Sequence, residues 1–508
     1  MFIDCKLRVV IPFKLMKSIA KHFAFRLLLI LTLALFIESH SYATDKKQVF
    51  NVLFVAVDDL RPELGCYGNQ EIKSPNIDAL ASESVVFKRA YCQQAICMAS
   101  RASIMTGMLP ETAELFRCGP VNEAYPEQAK LDDIFRDNGY QVKAFGKIYH
   151  HAEDHLKQFG NEWLGENSHS EEQGRGYLDP KSISRIYDDS GRGPAFESPD
   201  VNDTCYFDGY QAEQAVDAIE GFAKAGKPFF LAVGFKKPHL PFNAPQKYWD
   251  LYRQDEFDLA ANPYLPKNYT QHTIYNFGEL RNYNGIPKGK EPFSEELQRN
   301  LIHGYYACVS YMDAQLGKIL QKLKETGLDK NTVVVLWGDH GWKLGEHGMW
   351  CKHTNFELDT HVPLIIKVPG QDAFESDSFA ELIDIYPTLA DICNLEAPAN
   401  IQGESLMPAI KKSGKYVRTE AYSMYPHYRD NRKQLVIGYS LVNKRYRYIR
   451  WVHIETGKVE AEELYDHSTD PDENVNIAGS DENSEVLAEM TSLLKKRWVM
   501  DATILERE

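Results

Sequence analysis

The sequence predicts an α/β protein with a parallel-rich sheet flanked by helices, followed by a smaller C-terminal α+β unit. Apolar runs at residues 50–57, 229–235, 332–337 and 362–368 are separated by helical segments. None of these runs alternates apolar with polar residues, so each is expected to be a strand covered on both faces. Such strands are typical of a sheet that carries helices on both sides.

Length and charge narrow the class of protein. With 508 residues, of which 44% are hydrophobic, the chain can bury one large core and still carry an appended unit. Its formal net charge of -15 argues against nucleic acid or an anionic membrane as a partner, because both require a positively charged face. An anionic substrate would therefore need a local basic pocket.

The amino-terminal segment predicts export. Basic residues precede an apolar run at residues 27–37 that is too short to span a bilayer as a helix, and Ser41 and Ala43 offer a cleavage site. We therefore interpret residues 1–43 as a signal peptide and expect a secreted or periplasmic protein without stable membrane insertion. An uncleaved anchor is the alternative.

Two helices follow the first predicted strand. Ser74 and Pro75 are expected to open a helix that continues through residues 78–84, because proline is favoured in a first turn. Residues 100–105 are expected to begin another helix, which places Cys97 at or just before its amino end. Unpaired backbone N–H groups and the helix dipole favour a developing anion at such a position.

The remaining segments suggest a division of the chain. Residues 160–205 and 255–292 are rich in polar residues, glycine or proline and are predicted to be long surface excursions. Strand-like segments resume at residues 434–442 and 446–454, and a closing helix is predicted over residues 485–498. We therefore place a boundary near residue 412, between a larger domain at 44–412 and a smaller one at 413–508.

Acidic residues follow two of the predicted strands. Asp58 and Asp59 come after the first run, and Asp339 and His340 follow the run that begins at residue 332. Ligand sites in parallel-rich sheets lie beyond the carboxyl ends of the strands, so these side chains are expected to meet. Carboxylates suit a hard cation such as Ca²⁺, and the absence of clustered His/Cys spacing disfavours zinc. Taken alone, each pair is more often a cap or a turn.

A nearby string favours the metal site over a cap or turn: Cys97-Met98-Ala99-Ser100-Arg101, with Thr106-Gly107 beyond it. It resembles the signature of the formylglycine-dependent sulfatase family, which belongs to the alkaline-phosphatase-like superfamily. In that signature the third position is usually proline, and here it is Ala99. An isolated cysteine would by default be a buried or disulfide-bonded residue.

The resemblance extends from about residue 48 to the end of the chain and is weakest in the two excursions. Its strings are residues 54–62, 145–150, 237–242 and 338–347, continued by Trp350, Lys352 and His353 and by shorter matches after residue 420. Iduronate-2-sulfatases are the group that the chain resembles most. The resemblance implies a large mixed, mostly parallel sheet flanked by helices, with an antiparallel sheet in the C-terminal α+β subdomain.

The resemblance also implies the site. Cys97 is converted to formylglycine by a formylglycine-generating or an anaerobic sulfatase-maturating enzyme. An oxygen of that residue joins a calcium site whose other ligands are Asp58, Asp59, Asp339 and His340.

The remaining roles concern basic side chains. On this resemblance, Arg101 and Lys147 would hold the formylglycine hydrate, and His150 would act as a base on its second hydroxyl. His239 and Lys352 contact the sulfate, and one of them protonates the departing alcohol. Isolated histidines and lysines are more often ordinary polar residues, and His347, His353 and His361 remain ambiguous on sequence grounds.

The implied function is hydrolysis of O-sulfate esters on a uronic-acid-containing sulfated polysaccharide, of the glycosaminoglycan or ulvan type, or on its oligosaccharides. One alternative is hydrolysis of phosphate or phosphonate monoesters, since the same superfamily handles tetrahedral anions of different charge. A second alternative is a non-catalytic binder of sulfated glycans, which would result if Ala99 prevented conversion of Cys97.

Overall fold

The computed structural model describes residues 48–112, 116, 119–150, 154, 176–188, 192–412, 414–429 and 434–497. The predicted signal peptide lies outside this part of the chain. Within it, we find no helix with the length and apolarity that crossing a bilayer requires. Residues from Val49 onward belong to one compact unit.

The strands, in chain order, are β1 (Asn51–Val57), β2 (Val85–Tyr91), β3 (Gln141–Gly146), β4 (Phe196–Glu197), β5 (Phe229–Phe235), β6 (Phe242–Asn243), β7 (Thr332–Gly338), β8 (Lys343–Leu344), β9 (Trp350–Cys351), β10 (His361–Lys367), β11 (Phe374–Glu381), β12 (Glu420–Arg429), β13 (Gln434–Asn443), β14 (Tyr446–His453) and β15 (Val459–Asp466).

The α-helices are α1 (Pro75–Ala81), α2 (Cys97–Thr106), α3 (Val121–Ala124), α4 (Leu131–Asp137), α5 (Pro180–Asp188), α6 (Phe207–Ala225), α7 (Gln246–Trp249), α8 (Gly278–Arg281), α9 (Glu295–Thr326), α10 (Glu357–Thr360), α11 (Ile385–Cys393), α12 (Met407–Lys411) and α13 (Ser484–Arg497). Short 3₁₀ turns lie at Gly65–Tyr67, Asp203–Cys205, Gln254–Glu256, Leu328–Asn331, Glu346–Gly348, Leu382–Asp384 and Asp481–Asn483.

The larger sheet has seven strands in the order β11-β2-β10-β7-β1-β5-β3. Its pairings are parallel except that β10 runs antiparallel to both β7 and β2. The prediction of a mixed, mostly parallel sheet flanked by helices is therefore confirmed. The run at residues 362–368 does form a strand, but it is the one that opposes the others.

Both faces of this sheet are buried, which explains the continuous apolar runs. In β1, Leu53 and Val55 point into a core that they share with α6 and α9, whereas Phe54 points into a second core shared with α4 and α11. Each of these three side chains has no exposed surface. A strand buried on two faces cannot show the period-two pattern of a half-exposed strand.

The C-terminal sheet has four antiparallel strands in the order β12-β13-β14-β15. Met490 and Leu494 of α13 pack against it beside Tyr448, which is fully buried. The predicted α+β unit with an antiparallel sheet is confirmed. The domain boundary near residue 412 stays a prediction.

A buried ionic network joins the two sheets. Arg447 of β14 has no exposed surface and donates to Glu473 at 2.6 Å, to Glu357 of α10 and to Ser440. Burial would raise the pKa of the Glu473 carboxyl, but Arg447 and His467 outweigh that effect and lower the pKa to about 2. Glu473 is therefore an ionised carboxylate in a buried position.

Replacing Arg447 by alanine should destabilise the fold, because the buried carboxylate of Glu473 and the half-buried carboxylate of Glu357 both lose their arginine partner. We expect the free energy of unfolding to fall by about 3 kcal/mol, measured by chemical denaturation. Arg445→Ala is the matched control, since that arginine is 57% exposed and pairs with Asp466 at the surface. A surface pair contributes at most about 1 kcal/mol, so equal losses in the two variants would contradict a structural role for the network.

Candidate active site

The acidic residues meet because their strands are neighbours in the sheet. β1 pairs with β7 in parallel, with Val57 opposite Gly338, so both chains leave the sheet at the same edge. The backbone N–H of Asp59 donates to the Asp339 carboxylate at 3.1 Å. Asp59 has a φ of 59°, a left-handed conformation that is uncommon for residues other than glycine and often marks functional positions.

Cys97 is the first residue of α2, as the sequence predicts. Its side chain is 5% exposed, and its Sγ lies 3.4 Å from Nδ1 of His150. Ser100, in the first turn of the helix, donates to the backbone carbonyl of Asp339 at 2.5 Å. The amino end of α2 is therefore fixed against the end of β7.

Arg101 bridges three parts of the site. Its Nε donates to Asp339 at 2.8 Å, its Nη2 lies 3.5 Å from Asp58, and its Nη1 donates to the carbonyls of Lys147 and Ile148. The guanidinium is completely buried. The predicted role of this arginine is contact with the hydrate; in the structure it holds two carboxylates and the turn after β3.

Lys147 reaches Asp58 from that same turn, with its Nζ 2.6 Å from the carboxylate. The backbone at Lys147 can lie close to β5, because the β5 residue beside it is Gly234. A Cβ at that position would lie 2.0 Å from the carbonyl oxygen of Lys147. Glycine at residue 234 is therefore required for the observed position of Lys147.

The charges fix the protonation of the first aspartate. Burial alone would raise the pKa of Asp58, but the charges of Lys147, His239 and Arg101 outweigh it and hold this pKa well below its usual value. Burial raises the pKa of Asp59 to about 7, with Lys352 opposing the shift. Nearby cations therefore outweigh the effect of burial on the pKa at Asp58 but not at Asp59.

The carboxylates of the buried acidic cluster suit a hard cation such as Ca²⁺, which prefers oxygen ligands. Ligand atoms of Asp58, Cys97, Asp339 and His340 all lie within 4.8 Å of one another, and all four residues are buried. Oδ1 of Asp58 and Nε2 of His340 have no hydrogen-bond partner. His340 directs Nδ1 at the carbonyl of Gly341, 3.0 Å away, which leaves Nε2 as the lone-pair nitrogen in the common arrangement of metal-bound histidine.

The fifth predicted ligand lies at the edge of this group. Asp59 Oδ1 is 3.4 Å from Nε2 of His340, so its carboxylate borders the same space. Its oxygens also accept from Nζ of Lys352, at 2.9 and 3.2 Å. Asp59 thus connects the acidic cluster to a second cluster of basic residues.

The second cluster contains a residue that sequence reasoning missed. Glu279 of α8 lies 2.9 Å from Nζ of Lys352, 3.1 Å from Nε2 of His239 and 3.6 Å from Nε2 of His353. The two predicted sulfate contacts, His239 and Lys352, are thus brought together by a carboxylate. Glu279 lies in the polar excursion at 255–292, where composition alone carries no signal for a site residue.

The three histidines that were ambiguous on sequence grounds lie in different surroundings. His347 stacks on Phe356 and lies outside the acidic and basic clusters, and Nε2 of His361 lies 2.9 Å from the carbonyl of Lys88. His353 belongs to the basic cluster and hydrogen-bonds Tyr425 at 2.8 Å. Burial lowers the pKa of His353 to about 4, so this ring is neutral near neutral pH.

Comparison with known proteins identifies the family. Residues 50–395 match the family described as Sulfatase, and residues 345–499 match the C-terminal region of N-sulphoglucosamine sulphohydrolase. The chain belongs to the sulfatase family. As such it is a sulfuric ester hydrolase, and the predicted resemblance is confirmed.

Individual relatives cover nearly the whole chain. Human iduronate 2-sulfatase is 30% identical, over 88% of this chain and 94% of its own. A sulfatase from Formosa agariphila is 32% identical, over 89% of each chain. Among solved structures, the phosphonate monoester hydrolase of Agrobacterium radiobacter superposes with a TM-score of 0.70 at 22% identity, over 88% of this chain and 95% of its own, which shows the shared fold.

Proposed function

We propose that this sulfatase hydrolyses O-sulfate esters of a uronic-acid-containing sulfated polysaccharide, of the glycosaminoglycan or ulvan type, or of its oligosaccharides. The observation that carries the proposal is the position of Cys97 at the amino end of α2, between His150 and the buried acidic cluster. The relation to human iduronate 2-sulfatase, whose name specifies a uronate 2-sulfate, supports this substrate class.

The proposed chemistry also needs a calcium ion and the conversion of Cys97 to formylglycine. Asp58, Asp59, Asp339 and His340 would hold Ca²⁺ together with the residue made from Cys97, and the ion would offset charge on the sulfate. Oxidation of Cys97 to formylglycine would supply, as the hydrate, the hydroxyl that attacks sulfur. A formylglycine-generating or an anaerobic sulfatase-maturating enzyme would carry out that oxidation.

The other proposed roles, which are proton transfer, charge compensation and sulfate binding, belong to side chains of this protein. His150, next to residue 97, is placed to accept a proton from the hydrate. Lys147 and Arg101 offset the negative charge of Asp58 and Asp339, so that an anionic ester can approach the acidic cluster. An alkoxide is a poor leaving group, and an imidazole with a pKa near neutrality suits its protonation; we assign that step to His239 and sulfate binding to Lys352.

The proposal is tested in two assays of protein produced with a maturation system. Peptide mass spectrometry across residue 97 should detect formylglycine in place of the thiol. Desulfation of a panel of defined oligosaccharides, followed by product mass and NMR, should release sulfate from uronate 2-O-sulfates. Turnover of aryl sulfate, combined with no release of sulfate from any uronic-acid-containing oligosaccharide of the panel, would reject the substrate class and leave the family assignment intact.

Hydrolysis of phosphate or phosphonate monoesters is the second candidate. The fold shared with a phosphonate monoester hydrolase favours it, and a basic pocket accepts either anion. Parallel kinetics with 4-nitrophenyl sulfate, 4-nitrophenyl phosphate and a phenylphosphonate monoester separate the two. The main proposal requires the highest kcat/KM on the sulfate.

A further inference from the structure

Glu279 places a negative charge directly at the cations that we assign to substrate binding. Its side chain is 17% exposed, while that of Lys352 is 2% exposed. Burial would raise the pKa of Glu279, but Lys352 and His239 outweigh it and hold this pKa well below its usual value. An ionised carboxylate thus lies about one hydrogen bond away from both groups.

The contacts of Glu279 allow it to remain in place when substrate binds. An ammonium group has three N–H donors, and Lys352 directs its Nζ at Asp59 and Glu279. A further donor direction is left for an oxygen of a bound ester. If Nε2 of His239 turns to the ester oxygen, Glu279 still keeps its contacts with Lys352 and His353.

A fixed carboxylate acts differently on the two kinds of substrate. A sulfate monoester carries one negative charge, whereas a phosphate monoester carries nearly two above pH 7, because its second pKa is about 6. Coulomb repulsion scales with charge. One unit charge at roughly 5 Å, in a medium with an effective dielectric constant of about 20, changes binding on the order of 100-fold.

We propose that Glu279 determines specificity, by excluding dianionic phosphate monoesters from the pocket while admitting monoanionic sulfate esters. The inference rests on the proposed function, because it takes Lys352 and His239 as the groups that meet the substrate. It adds a discriminating residue that the sulfatase signature itself does not contain.

The test is the selectivity of Glu279→Gln, which keeps the size of the side chain and removes its charge. At pH 8, we expect the ratio of kcat/KM for 4-nitrophenyl phosphate to that for 4-nitrophenyl sulfate to rise at least about 20-fold. Bis(4-nitrophenyl) phosphate is the decisive comparison, since it is a phosphoryl compound with a single charge. Its ratio to the sulfate should stay within about threefold of the wild-type value.

Two further variants complete the design. Glu279→Asp keeps the charge and should retain the wild-type selectivity. Glu296→Gln removes an exposed carboxylate from the first turn of α9 and should leave both ratios unchanged. A Glu279→Gln ratio within about threefold of wild type, or equal rises for the phosphate monoester and diester, would overturn the inference.

A measurement on the wild-type protein keeps the inference testable if Glu279→Gln does not fold. Phenyl sulfonate and phenyl phosphonate have the same aryl group but carry one and nearly two charges at pH 8. The wild-type protein should be inhibited at least about tenfold more tightly by the sulfonate. Tighter inhibition by the phosphonate would overturn the inference, whereas absence of wild-type sulfate turnover would instead reject the proposed function.

Discussion

We expect Cys97→Ala to abolish sulfate-ester turnover, with kcat reduced by at least about 10⁴-fold. The side chain of residue 97 lies at the amino end of α2, next to His150 and inside the acidic cluster. Removing it would take away the group that we propose attacks sulfur, and the remaining cations could bind the ester without forming a bond to it. The measurement is steady-state turnover of 4-nitrophenyl sulfate by purified, matured protein.

The matched control is Cys205→Ala. Cys205 is a half-buried free thiol in the 3₁₀ turn Asp203–Cys205, outside the site. This variant should keep wild-type kcat and KM. If Cys97→Ala remained as active as this control, residue 97 would not be the nucleophile, and a mechanism through its oxidised form would be wrong.

Asp339→Asn should remove both activity and the stabilisation that we expect from bound calcium. The Asp339 carboxylate accepts from Arg101 and from the backbone N–H groups of Asp59 and His340. An amide cannot accept all of these bonds and carries no charge for a cation. We expect kcat/KM to fall about 10³-fold. The rise in melting temperature on adding Ca²⁺ to chelator-treated protein should disappear.

Asp391→Asn provides the comparison for this variant. Asp391 is exposed on α11 and should show the wild-type calcium shift and the wild-type kcat/KM. A calcium-dependent rise in melting temperature of normal size in Asp339→Asn would exclude Asp339 as a ligand. The thermal measurement tests the metal site independently of the state of residue 97.

The part of this site that sequence reasoning predicted is the part that lies next to regular structure. Strands buried on both faces are continuous apolar runs, so the ends of β1 and β7, and with them Asp58 and Asp339, could be located from the sequence. The start of α2 could be located because the Cys97 string is specific to a known family. The direction of β10 could not be predicted, since an apolar run has the same composition in either direction.

Glu279 could not be predicted for a different reason. It lies on a helix of four residues inside a polar excursion, and its partners are 40 residues earlier and 73 residues later in the chain. Contacts over such separations depend on the path of a loop, which local propensities do not determine. Arg101 itself was predicted as a site residue, but its contacts could not be, because its main partners are strand ends and a turn that assemble only in the folded protein.

The low exposure of Cys97 sets an order of events in biosynthesis. In the finished fold this residue begins a helix and is only 5% exposed, so a modifying enzyme would find no extended peptide to bind there. Any oxidation of it must occur while the polypeptide is still open, before the sheet closes over the segment. Chains that fold first would stay unmodified and inactive yet equally well folded, and a preparation would then contain two populations with the same fold that differ in one side chain.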